Sequence, residues 1–228
     1  STAGTYTVTN TIVAANGCVQ VTATSAIVIT TLPVATFSYT GTPYCSNDAD
    51  PSPTYGGAGV AGAFTSAAGL SINAGTGAVD LDASTAGTYT VTNTIVAANG
   101  CVQVTATSAI VITTLPVATF SYTGTPYCSN DNDPSPTYGG AGVAGAFTSA
   151  AGLSINAGTG AVDVSASTAG TYTVTNTIVA ANGCAQVTAT SAIVITTLPV
   201  ATFSYTGTPY CSNDADPSPT YGGAGVAG

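Results

Sequence analysis

The chain contains no lysine, no arginine and no histidine. Proteins hold nucleic acids and anionic membrane surfaces through basic side chains, and here nine acidic residues, all aspartate, leave a net charge of −9 unopposed. Neither partner is expected. Nucleophilic catalysis needs a base beside the nucleophile, usually His and sometimes Lys, and this chain offers neither. Lys–Asn isopeptide cross-links cannot form, which leaves cysteine as the one covalent tie. A Cys/His zinc site lacks its histidines and any CxxC pair. No apolar run approaches the roughly 18 residues of a membrane helix, so direct membrane insertion is not expected. No basic-then-apolar leader opens the sequence. Segments with helical hydrophobic period are absent too.

Repetition is what the sequence has in abundance. The stretch STAGTYTVTNTIVAANGC begins at Ser1, Ser84 and Ser167, 83 residues apart each time. Residues 1–83 and 84–166 differ only at Ala49/Asn132, Leu81/Val164 and Asp82/Ser165; the third copy departs from the first only at Ala185, where Val19 stood. A period of 83 residues suits a small sandwich domain and is too long for a solenoid coil. With TTLP at 30–33 and 113–116 as junctions, the expected division is the end of one repeat (1–31), complete repeats at 32–114 and 115–197, and the start of another (198–228). With 4% charged and 45% hydrophobic residues the chain should fold, its surface made polar by Thr, Ser, Asn and Gly.

Within 32–114, VATFSY (34–39) predicts a first strand, and residues 40–57, broken by three prolines, predict mostly turn and loop. A weak strand is expected around Phe64, then two short strands about a Gly-rich turn in 69–81. In 88–96, Tyr89, Val91, Asn93 and Ile95 share one face while Thr88, Thr90, Thr92 and Thr94 share the other. Asn99-Gly100 is a hairpin signal, since both central residues of a type I′ turn take positive φ. The return strand places Val102, Val104, Ala106, Ile110 and Ile112 on one parity. The expected fold class is all-β, a sandwich with a threonine-lined outer face.

GLSINAGTGAVDLDASTAGTYTVTNTI resembles bacterial immunoglobulin-like repeats, with their G-L, T-G turn and A-G-T-Y-x-V pattern. The flanking PYCSN and NGC resemble the Ig-like repeats of very large Bacteroidota surface proteins, including gliding-motility adhesins exported by the type IX system. The resemblance spans the whole repeat. It implies tandem immunoglobulin-like sandwiches, secreted or surface-attached, with a structural or adhesive role. Tyr89, and its copy Tyr172, match the tyrosine-corner position of such domains, whose hydroxyl bonds back to the chain. One departure is PSPTYGGAGVAG, where a strand rich in β-branched residues usually runs; that strand is expected to be short or bulged.

Candidate chemistry is sparse. The close carboxylate pairs that acid–base work would need are Asp48/Asp50 and Asp80/Asp82, and Asp82 becomes Ser165 in the next copy, so no enzyme is expected. The loop SNDAD brings Asp48 and Asp50 together, with copies at Asp131/Asp133 and Asp214/Asp216. Calcium takes about six to eight oxygens, and these are weak calcium candidates; the other reading is an Asp-capped turn before Pro51. Tyr39, Tyr44 and Tyr55 suggest either a glycan-binding ridge or core and loop packing. Threonine rows suit an ice-binding face in short-period solenoids and an ordinary solvated face here.

Six cysteines, Cys18, Cys45, Cys101, Cys128, Cys184 and Cys211, alternate at spacings of 27 and 56 residues. In a chain of small β-domains this pattern reads as disulfides in an oxidising, extracellular setting, the other reading being buried free thiols. By the immunoglobulin-like resemblance, Cys45 and Cys101 sit at opposite ends of one sandwich, so that head-to-tail stacking would bring Cys45 to Cys184. A bent first strand would instead allow Cys45–Cys101 and Cys128–Cys184 within single domains. Both pairings stand at this level. Without lysine to guard strand edges, lateral assembly into filaments is a further expectation, answered by whether a multi-repeat fragment stays monomeric by light scattering at high concentration. The functional expectation is a structural segment of an extracellular fibre or stalk, with neighbouring repeats as partners. The alternative is a binding module whose Tyr and Asp loops take a glycan, with calcium as the only cofactor in view.

Overall fold

The computed structural model describes residues 1–223. Among the described residues there is no helix; every element is a strand. The last five positions of the expected partial repeat, 224–228, lie outside the described residues. The chain divides into two compact units, Ser1–Leu115 with Ala181–Ala185, and Pro116–Ala180 with Gln186–Gly228.

Unit 1 opens with the hairpin of β1 (Gly4–Ile12) and β2 (Val21–Ile29). Then follow β3 (Phe37–Ser38), β4 (Tyr44–Cys45), β5 (Thr54–Tyr55), β6 (Ala63–Thr65), β7 (Ser71–Ile72), β8 (Val79–Asp80), β9 (Gly87–Ile95) and β10 (Val104–Thr113). One sheet runs β4-β10-β9-β6, and the small sheets β3-β5 and β7-β8 complete a sandwich. The alternation in β9 works as its sequence says: Tyr89, Val91 and Asn93 are buried while Thr88 and Thr90 face water. Phe64 from β6 meets Phe37 from β3 edge to face at 5.3 Å between ring centroids, and Val79, Leu81, Ile110 and Ile112 close around them. Such edge-to-face pairs add about 1 kcal/mol beyond burial. On the outer face Thr65, Thr92 and Thr107 lie directly opposite one another across three strands.

Residues 40–57 are mostly turn and loop as expected, with two short strands among them: β4 pairs in parallel with the end of β10 (Tyr44 with Ile112, Cys45 with Thr113) and β5 pairs with β3. Two-residue strands carry no periodicity, which is why only the ladder partner reveals them. The first strand is shorter than 34–39, being Phe37–Ser38, with Val34 held by one isolated bridge to Gly59. Val102 lies outside the return strand, which begins at Val104, and is exposed. The Asn99-Gly100 turn has positive φ at both residues, 50° and 80°, with Ala98 bridged to Cys101.

Unit 2 carries β11 (Tyr127–Cys128), β12 (Ala146–Thr148), β13 (Ser154–Ile155), β14 (Val162–Asp163), β15 (Gly170–Ile178) and β16 (Val187–Thr196). Its main sheet has the order β11-β16-β15-β12, around a core holding Phe120, Phe147, Val174, Ile193 and Ile195. Two short strands, β17 (Phe203–Ser204) and β18 (Thr220–Tyr221), pair antiparallel beyond it. The tip of the β15–β16 hairpin, Ala181–Ala185, belongs to unit 1.

The short second strand has a specific remedy. Asn93, fully buried on β9, accepts the Gly62 N–H through Oδ1 at 2.7 Å and donates from Nδ2 to the Ala35 and Val60 carbonyls, each at 2.9 Å. Where PSPTYGGAGVAG makes too little ladder, one amide side chain pairs the orphaned backbone groups. Asn176 does the same in unit 2 for Gly145, Ala118 and Val143. Gly62 is required beside it, since a Cβ there would stand 2.2 Å from the Thr94 carbonyl oxygen.

Candidate functional site

Cys45 is disulfide-bonded to Cys184, 139 residues away, with the Cα atoms 4.6 Å apart. That separation is ordinary for a disulfide. Cys45 is positioned by β4: its N–H is held by Asp48 Oδ2 at 2.7 Å, and the Thr113 carbonyl next to it accepts the Ser46 N–H. The other sulfur arrives on the hairpin tip. Thr113 donates its hydroxyl to the Asn182 carbonyl at 2.7 Å, and Cys184 Sγ lies 3.4 Å from Thr113 Oγ1 and 3.5 Å from the Thr114 carbonyl. Gly183, at φ 85°, lies so close that a Cβ would come within 2.1 Å of the Pro43 carbonyl oxygen. Cys45 and Cys184 are 0% and 5% exposed, so the pair is sealed from water.

The other four cysteines are free thiols. Cys101 sits on the junction before it as Cys184 does on its own: Thr30 donates to the Asn99 carbonyl at 2.9 Å, and Cys101 Sγ lies 3.1 Å from Thr30 Oγ1. Cys128 sits in β11 as Cys45 does in β4, its N–H on Asp131 Oδ2 at 2.7 Å. Cys18 and Cys211 are exposed. Position 100 tests the seating of the tip. Gly100 has φ 80° like Gly183, yet a Cβ there would meet nothing within 4 Å. Both alanine substitutions strain the turn equally, so any difference is steric. Gly183→Ala is expected to prevent the Cys45–Cys184 bond from closing while Gly100→Ala leaves it intact, read as the oxidised fraction in peptide maps.

The aspartates of the SNDAD loops are occupied as backbone caps. Asp48 takes the Cys45 N–H and closes the turn with its own N–H on the Cys45 carbonyl; Asp50 Oδ1 takes the Leu81 N–H at 2.9 Å. Asp131 and Asp133 repeat this on Cys128 and Val164, and Asp214 on Cys211. Asp216 is exposed and has no such backbone partner among the described residues. Among the described residues no three His, Cys or acidic side chains gather as a metal site. Asp50 and Asp80 do line one open cleft of about 360 Å³ with Ser71 and Asn73, and the cleft recurs at Asp133 and Asp163. At Asp163 the Ala166 N–H and the Ser165 hydroxyl hold the carboxyl below its ordinary value.

The tyrosines do not form a ridge. Tyr39 is buried and donates to the Gly77 carbonyl at 2.6 Å; Tyr44 is half-buried on the Thr40 carbonyl, and Tyr55 is exposed. Tyr89 and Tyr172 donate to the Thr85 and Thr168 carbonyls at 2.8 Å, pinning the chain four residues upstream. Burial, with the charges of Tyr55 and Tyr44 adding to it, pushes the Tyr39 phenol up to about 12; Tyr122 follows to about 12 for the same reasons. A raised folded value means the neutral phenol stabilises the fold below its ordinary value of 10.0, and that this contribution is lost as pH rises from there through about 12. Alkaline titration followed by phenolate absorbance should show Tyr39 and Tyr122 ionising last among the twelve tyrosines, together with loss of near-ultraviolet circular dichroism. Ionisation of all twelve in one step near the ordinary value would contradict it.

Sequence reasoning missed the role of Asn93 and of the junction threonines. An amide alone among apolar residues on the inward face was the signal for the first. The threonines of TTLP looked like linker, and only the hairpin tip lying on them shows otherwise.

No family model matches the chain, and no curated protein matches it. Among solved structures it is similar to Drosophila N-cadherin EC1-4, at 12% identity and a TM-score of 0.37, over 77% of this chain and 52% of that one. It is also similar to a SusE-like surface located polysaccharide binding protein from the Bacteroides thetaiotaomicron heparin utilisation locus, at 19% identity and a TM-score of 0.27. That match covers 76% of this chain and 36% of the other, so the chain spans about half of the first structure and about a third of the second.

Proposed function

We propose that the chain is a load-bearing structural segment of an extracellular fibre or stalk, built from tandem immunoglobulin-like sandwiches divided at 32, 115 and 198. The observation that carries this reading is the Cys45–Cys184 bond, which ties the sequence repeat 32–114 to the repeat 115–197. Tension along the backbone enters at Cys45 and leaves at Cys184 through two sulfurs, bypassing everything between them. A sealed disulfide persists in an oxidising setting, which supports a location outside the cell or on its surface. A chain with no base for a nucleophile and no metal cluster among the described residues supports a mechanical role over catalysis. The Bacteroidota surface-protein resemblance, with type IX export and an adhesive tip elsewhere, belongs to the same proposal.

Single-molecule stretching tests it. The bond withholds a 139-residue separation from extension, and at about 3.4 Å per residue the reduced chain should reach roughly 470 Å further than the oxidised one. Equal extension in both states would remove the load-bypass reading. The recurring Asp50/Asp80 cleft favours a second reading, a glycan module with calcium. Retention on a glycan array, or a melting temperature that rises with calcium, would support it; indifference to both is the outcome expected of a structural segment.

A further inference from the structure

β10 lies between two neighbours of unequal length. With β9 it pairs from Val104 to Ile112, and with β4 only at Ile112 and Thr113. The Thr42 hydroxyl accepts the Val111 N–H at 2.8 Å, and the Ser46 N–H donates to the Thr113 carbonyl. Successive residues of a strand aim their backbone groups to opposite edges, so the set that includes Val111 and Thr113 faces away from β9. Upstream of Val111 that set is Thr105, Thr107 and Ala109, all exposed and without a backbone partner on that edge among the described residues.

Unit 2 repeats the arrangement. β16 pairs with β15 from Val187 to Ile195 and with β11 only at Ile195 and Thr196, and the Val194 N–H ends on the Thr125 hydroxyl. Thr188, Thr190 and Ala192 are left open. Natural sheets guard such edges with lysine, proline, a bulge or an inward charge. Between Val104 and Ile110 there is no charge, no proline and no glycine. The far edge of the sheet is different: β6 has three residues, and its Phe64 N–H is spent on the Ala74 carbonyl.

We propose that this edge docks a second copy of the chain, β10 against β10 in antiparallel pairing about a twofold axis at Thr107, and β16 likewise about Thr190. That register sets Thr107 opposite Thr107 and Thr105 opposite Ala109. Each facing pair exchanges two N–H···O bonds, about six in all. Ala106 and Ser108 meet on the other side of the ladder, where their small side chains let the strands close to the usual spacing of about 4.8 Å. Continuity singles out a second copy over any other extended chain. The outer row Thr65-Thr92-Thr107 runs up to the edge and continues beyond the axis as Thr107-Thr92-Thr65, with threonine facing threonine. Charge points the same way: two chains of net charge −9 repel least along strands without aspartate, and β9 and β10 have none. A twofold contact uses one patch on both partners, and a chain has two such patches, so copies join side by side as dimers or longer series. The absence of lysine raised lateral assembly as an expectation; the fold supplies the edge. This goes beyond the staple and its load path and depends on neither.

The test uses the full chain with Cys18, Cys101, Cys128 and Cys211 changed to serine, so that free thiols cannot link copies. Thr24→Pro is added to silence the same VTATSAI strand in the first hairpin. Light scattering should show reversible association that grows with concentration, and hydrogen exchange in 104–111 should slow with it. Thr107→Pro with Thr190→Pro should weaken association roughly tenfold or more, since each removes an N–H that only the partner receives. Thr107→Asp with Thr190→Asp should weaken it too, by setting like charges directly opposite. Thr88→Asp with Thr171→Asp adds the same charge to the same outer face, on strands paired along both edges, and should leave association intact. A chain that stays monomeric at millimolar concentration, with exchange in 104–111 independent of concentration, would overturn the proposal. So would association untouched by the proline pair, or lost equally in the Thr88 and Thr171 control.

Discussion

Replacing Asn93 with alanine is expected to destabilise unit 1 by roughly 3–6 kcal/mol, because three buried backbone groups lose their partner at about 1–3 kcal/mol each before relaxation. Gly62 N–H and the Ala35 and Val60 carbonyls are held by the Asn93 amide where the Gly- and Pro-rich segment makes too little ladder. A domain of ordinary stability, about 5–15 kcal/mol, would be left near its limit. Asn176 supplies an internal control, since its unit keeps all three bonds and should hold its own denaturation midpoint. Asn93→Asp adds a sign test. A carboxylate facing two carbonyls is repelled by them, and burial also favours its neutral form, so its folded pKa rises. Stability of that variant should be greatest at acid pH and fall as pH rises through the raised value, the reverse of a paired surface aspartate. Urea denaturation at two pH values decides it; a loss under 1 kcal/mol for Asn93→Ala would show the amide to be dispensable.

The double substitution Cys45→Ser with Cys184→Ser should cost unit 1 about 3–5 kcal/mol, the scale of loop-closure entropy for so distant a pair. Both residues must change together, because one alone leaves a buried unpaired thiol and confounds the result. The seat of the tip, made by Thr113, Asn182 and Gly183, remains in that variant. A fall in denaturation midpoint at unchanged slope is the expected signature, matched in the parent chain by a reducing agent. No change in either case would mean that the tip is held by its seat alone and the bond adds nothing to stability.

How much of this was legible in the sequence depends on the length of each signal. β9 and β10 announce themselves over nine and ten residues of alternation, and the Asn99-Gly100 turn by its dipeptide. The Asp-capped turn was readable from SNDAD. β4 was not, since Tyr44–Cys45 is a strand only because β10 lies beside it. With β4 unseen, the place of Cys45 rested on resemblance, and two disulfide pairings stayed open. Thr113 reads as linker in the sequence and becomes a seat for the hairpin tip in the fold.

The repeated eighteen residues separate the two kinds of information. Alternation along a strand fixes which side chains share a face, because successive residues point to opposite sides whatever surrounds them. Thus Val8 and Val91, or Ile27 and Ile110, have the same neighbours in sequence and the same cross-strand register. Burial is another matter. Val91 and Ile110 are fully buried because the Phe37 and Phe64 layer packs on their face of the sheet. The cysteines divide in the same way. Sequence placed one on every hairpin tip and one in every proline-rich loop; that Cys45 meets Cys184 is decided by the seat of the tip on Thr113 and Thr114. Local pattern sets direction, and only packing between distant segments supplies a partner.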